Sequence, residues 1–204
     1  MKQIGLLGGS FDPVHLAHTA LAEHALKHLA LDQIQLIPAA DPWQRPALAA
    51  GARQRLDMLE LASRDLPGLV VNPVEIQRGG KTYTIDTLRQ LPADARYYWL
   101  LGSDQLSNFC TWRAWEEIVG LTDLVVAQRP GAALTPPEPL QHRLDALGRQ
   151  LIELPFEAMA ISATEIRRRL ANDLAVDAFL DRKVAEYIQR HGLYRTPANP
   201  PDTL

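Results

Sequence analysis

Two histidines three residues apart, His15 and His18, follow a glycine pair, Gly8-Gly9, across a short polar turn in the string GGSFDPVHLAH. Residues i and i+3 share one face of a helix, so both imidazoles are expected side by side at a helix start. A helix N-terminus carries free N–H groups and partial positive charge, which suits an anion, above all a phosphate. Glycine lets the backbone pass close to a ligand. A second stretch of the same character is ISATEIRRRL. There Ser162 or Thr164 can cap a helix, Glu165 falls in its first turn, and Arg167 projects nearby. A helix start with an arginine is a second phosphate grip; read alone, it is equally a plain cap followed by a solvated arginine run.

These residues need elements that place them together. The apolar run Ile4, Leu6, Leu7 ending at Gly8-Gly9 reads as a buried first strand, followed by a helix from Leu16 to Leu29. Gln33 to Pro38 reads as strand two, residues 39 to 50 as a proline-bearing loop, and Arg53 to Ser63 as a helix. A strand at Leu69 to Val74, a helix at Thr84 to Leu91, and strands at Arg96 to Leu101 and Leu121 to Ala127 come next. Residues 130 to 141 are expected to be a mobile proline-rich loop, Leu151 to Leu154 a last strand, and two helices follow, the second stopped by Gly192. This alternation predicts an α/β fold, a Rossmann-like doubly wound parallel sheet with a small C-terminal helical subdomain. One domain is expected over residues 1–195, with its helical part at about 160–195 and a disordered tail at 196–204. Ligands of such sheets bind beyond the C-terminal strand ends, where Gly8-Gly9, Pro38, Gly102 and Arg129 lie.

Composition narrows the partners. A net charge of −3 over 204 residues argues against a broad nucleic-acid surface. One cysteine, Cys110, excludes an intrachain disulfide and fits a reducing compartment. Met1-Lys2 runs straight into the first strand without an apolar leader or long apolar span, so a soluble, cytoplasmic protein with no membrane partner is expected. The Walker pattern and GxGxxG are both absent. His15 and His18 have no third or fourth ligand at metal spacing, so no protein-built metal site is expected.

The string GGSFDPVH-x-x-H resembles the nucleotidylyltransferase signature, in the wording of the bacterial nicotinate-nucleotide adenylyltransferase family. Ala17 stands where that family has glycine. ISATEIR (Ile161 to Arg167) is similar to its C-terminal phosphate motif, with Ala163 departing at a small position. KTYTIDTL (Lys81 to Leu88) resembles its S-Y-T-x-D-T-L segment, and GSDQL (Gly102 to Leu106) its G-x-D-x-L. The family's P-P-H-[KR] appears here as Pro42-Trp43-Gln44-Arg45, keeping the basic position but not the histidine.

The resemblance implies a transferase that moves the adenylyl group of ATP to nicotinate mononucleotide, giving the dinucleotide and pyrophosphate. It implies His15, His18 and Arg167 as catalytic residues. For ATP it implies Gly8, Gly9, Ser10, Phe11, His15, His18, Asp104, Ser162, Thr164 and Arg167. For the mononucleotide it implies Arg45, Tyr83, Thr84, Ile85 and Trp112, the last stacking on the pyridine ring, with Trp115 and Trp99 read as core. Mg²⁺ is expected to arrive with ATP, and the protein to be a monomer or homodimer. Alternatives are a sister transferase acting on nicotinamide mononucleotide or phosphopantetheine, and a nucleotide-binding sensor without catalysis.

Overall fold

The computed structural model describes residues 1–43 and 47–195. The sequence readings of Gln44 and Arg45, and of the tail at 196–204, lie outside the described residues. The chain opens with β1 (Lys2–Gly9), α1 (Leu16–His28) and β2 (Gln33–Pro38). Then come β3 (Asp41–Pro42), α2 (Ala52–Ser63), β4 (Leu69–Val71), α3 (Val74–Arg78), β5 (Lys81–Thr82) and α4 (Thr84–Leu88). The central strand β6 (Ala95–Gly102) leads into α5 (Ser103–Ser107), a short 3₁₀ turn, α6 (Trp115–Leu121) and β7 (Asp123–Gln128). The chain continues with α7 (Glu138–Ala146), β8 (Ile152–Pro155), α8 (Ala163–Ala171) and α9 (Arg182–His191).

Six strands form one parallel sheet in the order β4-β2-β1-β6-β7-β8, and β3 pairs with β5 in a separate two-stranded ribbon. Counting only the large sheet, this is the order 3-2-1-4-5-6 of a doubly wound Rossmann-like fold, as expected. The order reverses between β1 and β6, whose C-terminal ends are Gly9 and Gly102. Both faces are covered because the strand side chains alternate in direction. Leu7, Tyr98 and Leu100 enter one core with Ala22 and Ala25 of α1, Met58 and Leu59 of α2, Ile166 of α8, and Val184 and Ile188 of α9. Leu6, Trp99 and Leu101 enter the other with Ile85 of α4, Ile118 of α6 and Leu140 of α7. Among the described residues no helix is long and apolar enough to cross a membrane.

Several expected boundaries move, each for a local reason. The strand expected to Val74 ends at Val71, because Pro73 has no N–H for a ladder; it caps α3 instead. The helix expected to Leu91 ends at Leu88. Leu121 closes α6 rather than opening a strand, and β7 begins at Asp123. The loop expected at 39 to 50 contains β3, and that expected at 130 to 141 contains the start of α7, where Pro139 sits in the first turn that tolerates it.

Candidate active site

The recess beyond the ends of β1 and β6 is lined by Gly8, Gly9, Ser10, Thr84, Gln105 and Trp112, with Trp43, Glu75, Thr82 and Trp99 among its other walls, and encloses about 130 Å³. Its glycines are demanded by neighbouring rings. A Cβ on Gly8 would stand 3.0 Å from the Trp99 indole, and one on Gly9 would stand 3.1 Å from the Phe11 ring. Both distances are tighter than ordinary contact, so side chains there would push the turn off its floor. Trp99 is 4% exposed, as its core reading expects, yet its ring also forms part of the wall.

Where β1 ends, Phe11 turns the chain at φ 47°, and its ring is buried in the first core. The Phe11 side chain is therefore a support, which leaves its backbone for the ATP contact read from the sequence. Its edge meets the ring of His18 at 4.9 Å and fixes that imidazole from one side. His15 lies just before α1, on extended backbone, and not on the helix face that the spacing implied. The two imidazoles nevertheless come together, stacked at 3.7 Å between centroids.

The His15 backbone N–H donates to Nδ1 of His18 at 3.2 Å. An Nδ1 that accepts carries no proton, so in the neutral ring the N–H of His18 is at Nε2. His15 is buried, and burial lowers its pKa to about 4, so it is neutral at pH 7. Its Nδ1 is buried with no hydrogen-bond partner in the described chain. A second expectation also needs correcting. The start of α1 does not offer a row of free amides, since Leu16 N–H donates to the Phe179 carbonyl and His18 N–H to the His15 carbonyl. The polar groups that this end leaves for a ligand are the imidazoles and the glycine turn more than the helix start.

Arg167 reaches this turn from α8. Its Nη1 donates to the Asp12 carbonyl at 2.7 Å, across 155 residues of sequence, and its Nη2 to Thr164 Oγ1 at 3.4 Å. Ser162 caps α8 by accepting the Glu165 N–H. Arg168 turns away into a two-point pair with Glu165, and Arg169 donates to the Ala175 carbonyl over the Phe179 ring. Arg167 alone of the three faces the turn.

Two residues that the sequence reading did not single out hold this turn. Arg55 is 1% exposed and donates from Nη1 to the Ser10 carbonyl at 2.8 Å and from Nη2 to the Ala40 carbonyl at 3.3 Å. Burial lowers its pKa, and the nearby Asp12 charge opposes that. Asp12 accepts the Ala49 and Ala50 amides and the hydroxyl of Tyr194 at 2.7 Å. Burial and that bond to Asp12 push the Tyr194 hydroxyl well above the usual phenol range. Arg55 was detectable, because it falls in one stripe with the buried Met58, Leu59 and Ala62.

On the opposite wall Thr84 opens α4, and Tyr83 precedes it with its ring 6.2 Å from Trp43 and 4.9 Å from the Arg113 guanidinium. Ile85 is fully buried in the second core, so only its backbone is available for the mononucleotide contact read from the sequence. Trp112 is half-buried and braced by Phe109 at 5.2 Å, and Trp115 packs against the same core. Asp104 is exposed on α5 just past β6 and is not part of the recess wall. Among the described residues no group of three or more His, Cys, Asp or Glu side chains is placed to hold a metal ion.

The cytidylyltransferase-like family model matches residues 6–169. A Bordetella petrii protein named "Probable nicotinate-nucleotide adenylyltransferase" is 63% identical over 195 residues, covering 96% of this chain and 100% of that protein. The chain belongs to the nicotinate-nucleotide adenylyltransferases, within the cytidylyltransferase-like family. A member of the same name from Albidiferax ferrireducens is 38% identical, with 96% and 100% coverage. In fold the chain is similar to the Plasmodium falciparum nicotinic acid mononucleotide adenylyltransferase solved with NaAD, with a TM-score of 0.73, 19% identity, and 95% and 98% of the two chains covered. Family membership makes it a nucleotidyltransferase of the NAD biosynthetic class, on a Rossmann-like sheet. The match ends at Arg169, so the Tyr194 bond to Asp12 lies beyond the family model.

Proposed function

We propose that the chain transfers the adenylyl group of ATP to nicotinate mononucleotide, releasing pyrophosphate and nicotinate adenine dinucleotide. One observation carries the reading. Arg167 is hydrogen-bonded to Asp12 beside the stacked His15 and His18, which gathers both phosphate-handling stretches at one turn next to an aromatic recess. A phosphate oxygen of the mononucleotide attacks the α-phosphorus in line; the new P–O bond forms as the bond to the β-phosphate bridging oxygen breaks. Such transfers need positioning and charge neutralisation more than a covalent intermediate. His18, with Nε2 as its donor, faces the charge developing on the transferred group. His15 adds a second N–H, and Arg167 with Thr164 and Ser162 holds the leaving pyrophosphate. Gly8, Gly9 and Ser10 supply the close-approach backbone, and Asp104 the acceptor for a ribose hydroxyl.

Thr84 and the adjoining amides of Tyr83 and Ile85 receive the pyridine carboxylate, and Trp112 stacks on its ring. Arg45 is kept in this reading as a basic residue for the mononucleotide phosphate. In this reading Mg²⁺ enters as part of the ATP substrate and keeps most of its waters, and among the described residues no group of three or more His, Cys, Asp or Glu side chains is placed to hold it. The protein is taken to act as a monomer or a homodimer. Residues 1–195 are taken as one nucleotidylyltransferase domain with its helical part at 160–195. ATP use and a single cysteine suit the cytoplasm. Pyrophosphate release on mixing MgATP with nicotinate mononucleotide tests the proposal; ATP bound without release would favour the sensor reading instead.

A further inference from the structure

The recess contains an acidic residue that the reaction does not call for. Glu75 is 3% exposed, sits on α3, and lines the recess that is to receive the anionic pyridine ring. Its Oε1 accepts the Thr87 hydroxyl at 2.6 Å, and the nearby Thr82 hydroxyl favours the charged form of the same carboxyl. Thr82 and Thr87 bracket the turn Tyr83-Thr84. Each hydroxyl is already an acceptor. Thr82 Oγ1 takes the Ala40 N–H at 3.0 Å and the Asp41 N–H at 3.4 Å, while Thr87 Oγ1 takes Arg78 Nη2 at 3.2 Å. The Thr87 proton goes to Glu75, and Thr82 Oγ1, which already accepts two amides, has only its proton left to give. The helix bearing Glu75 is itself pinned to the sheet, since Asn72 donates to Gln35 Oε1 and accepts the Val74 N–H.

We infer that Glu75 is a positioning residue for pyridine-mononucleotide recognition, stapling Thr82 and Thr87 so that Tyr83-Thr84 and the Ala40-Asp41 strand hold one geometry at the recess. The inference rests on the reading of Thr84 and Trp112 as the pyridine site. It assigns Glu75 no contact with ATP and no part in the chemical step. Glutamine can satisfy one hydroxyl but turns an NH₂ towards the other, so it releases one end of the staple. A valine at position 87 releases the other end and leaves Glu75 in place. Loss of one buried hydrogen-bond partner corresponds to roughly ten- to a hundredfold in binding when it acts on the ligand-contacting turn.

The test is to titrate wild type, Glu75→Gln, Thr87→Val and Thr87→Ser with nicotinate mononucleotide, following tryptophan fluorescence, and to measure KM for each substrate. Trp43, Trp99 and Trp112 all line the recess and report its occupancy. The expected result is a ten- to hundredfold rise in Kd and KM for the mononucleotide in Glu75→Gln and Thr87→Val. KM for ATP should stay within about twofold, and Thr87→Ser should bind as wild type does. Unchanged mononucleotide affinity in the variants, equal losses for both substrates, or a Thr87→Ser as impaired as Thr87→Val would overturn the inference. If Glu75→Gln does not fold, the Thr87 pair decides. A wild type that neither binds the mononucleotide nor releases pyrophosphate overturns the site reading and this inference together; a normal wild type with unaffected variants overturns the inference alone.

Discussion

The backbone N–H of His15 donates to Nδ1 of His18, and the two imidazoles stack at 3.7 Å. One backbone bond thereby selects which nitrogen of His18 can donate, and the stacked ring limits where that nitrogen points. The arrangement is preorganised, so its contribution to a developing charge is not spent on reorientation.

His18→Ala should therefore lose activity while keeping the fold, because His18 is half-buried at a helix start and contributes little to either core. Removing one preorganised donor costs about 10²–10³ in kcat. Steady-state kinetics with a parallel melting curve will check it. A folded variant with near-normal kcat would remove His18 from the role given to it.

Arginine at 167 is expected to matter for ATP rather than for the mononucleotide. Arg167→Ala should damage kcat/KM for ATP by tenfold or more, whereas Arg168→Ala and Arg169→Ala should change it little, since both are committed elsewhere. Saturation curves for each substrate in the three variants separate a specific contact from a diffuse basic surface, for which the three losses would be equal.

Arg55→Ala should be the most destabilising of these changes. It removes the donor from the carbonyls of Ser10, Ala40 and Ala50 at a buried position, and leaving buried acceptors unsatisfied costs about 1–3 kcal/mol each. Arg55→Lys keeps the charge but not the fork, so it should recover only part of the loss. Urea unfolding measures both. An Arg55→Ala as stable as wild type would mean that the turn is held by other contacts.

Two buried groups make opposite contributions to stability as pH changes. Burial raises Glu75 from 4.5 to about 7, so its contribution is present at low pH and is lost as pH rises through that window. Burial lowers His15 from 6.5 to about 4, so its contribution is present above 6.5 and is lost as pH falls towards 4. Between pH 4.5 and 6.5 the two nearly cancel in wild type. Melting temperatures across this range should rise with pH in Glu75→Gln, where only His15 remains. They should fall with pH in a His15→Phe variant, where only Glu75 remains. Parallel pH profiles for all three proteins would contradict both assignments.

Much of this was legible in the sequence because strand and glycine signals are local. The alternation of Gln33 to Pro38 marks a strand by period, and the apolar run to Gly8-Gly9 and RYYWLL up to Gly102 mark buried strands by their short length and the glycines that bound them. Signals that depend on tertiary partners were not legible. Nothing local says that Phe11 turns inward at positive φ, or that the Phe179 carbonyl occupies the Leu16 amide. Glu75 stands in a five-residue helix between Pro73 and Gly79-Gly80, where periodicity has no length to act on. Tyr194 finds Asp12 over 182 residues, a pairing that only the folded chain reveals.

The pyridine site can be tested by splitting stacking from carboxylate recognition. Trp112→Ala should weaken use of the acid and the amide mononucleotide alike, because a ring face serves both. Thr84→Val should narrow the gap between them. Comparing kcat/KM for the two mononucleotides in each variant checks this, and a Trp112→Ala that spares the acid would move the stacking surface elsewhere, Trp43 being another indole that lines the recess.

The central claim is that this turn and recess join ATP to nicotinate mononucleotide. It is tested most directly by pyrophosphate release from MgATP with the acid or the amide mononucleotide supplied in turn. Donors aimed at a carboxylate leave one donor facing another when the amide binds, which costs roughly 1–3 kcal/mol or more. The account predicts release that depends on the mononucleotide, with kcat/KM about tenfold to several hundredfold higher for the acid. No release with either mononucleotide, or a preference for the amide, would contradict it.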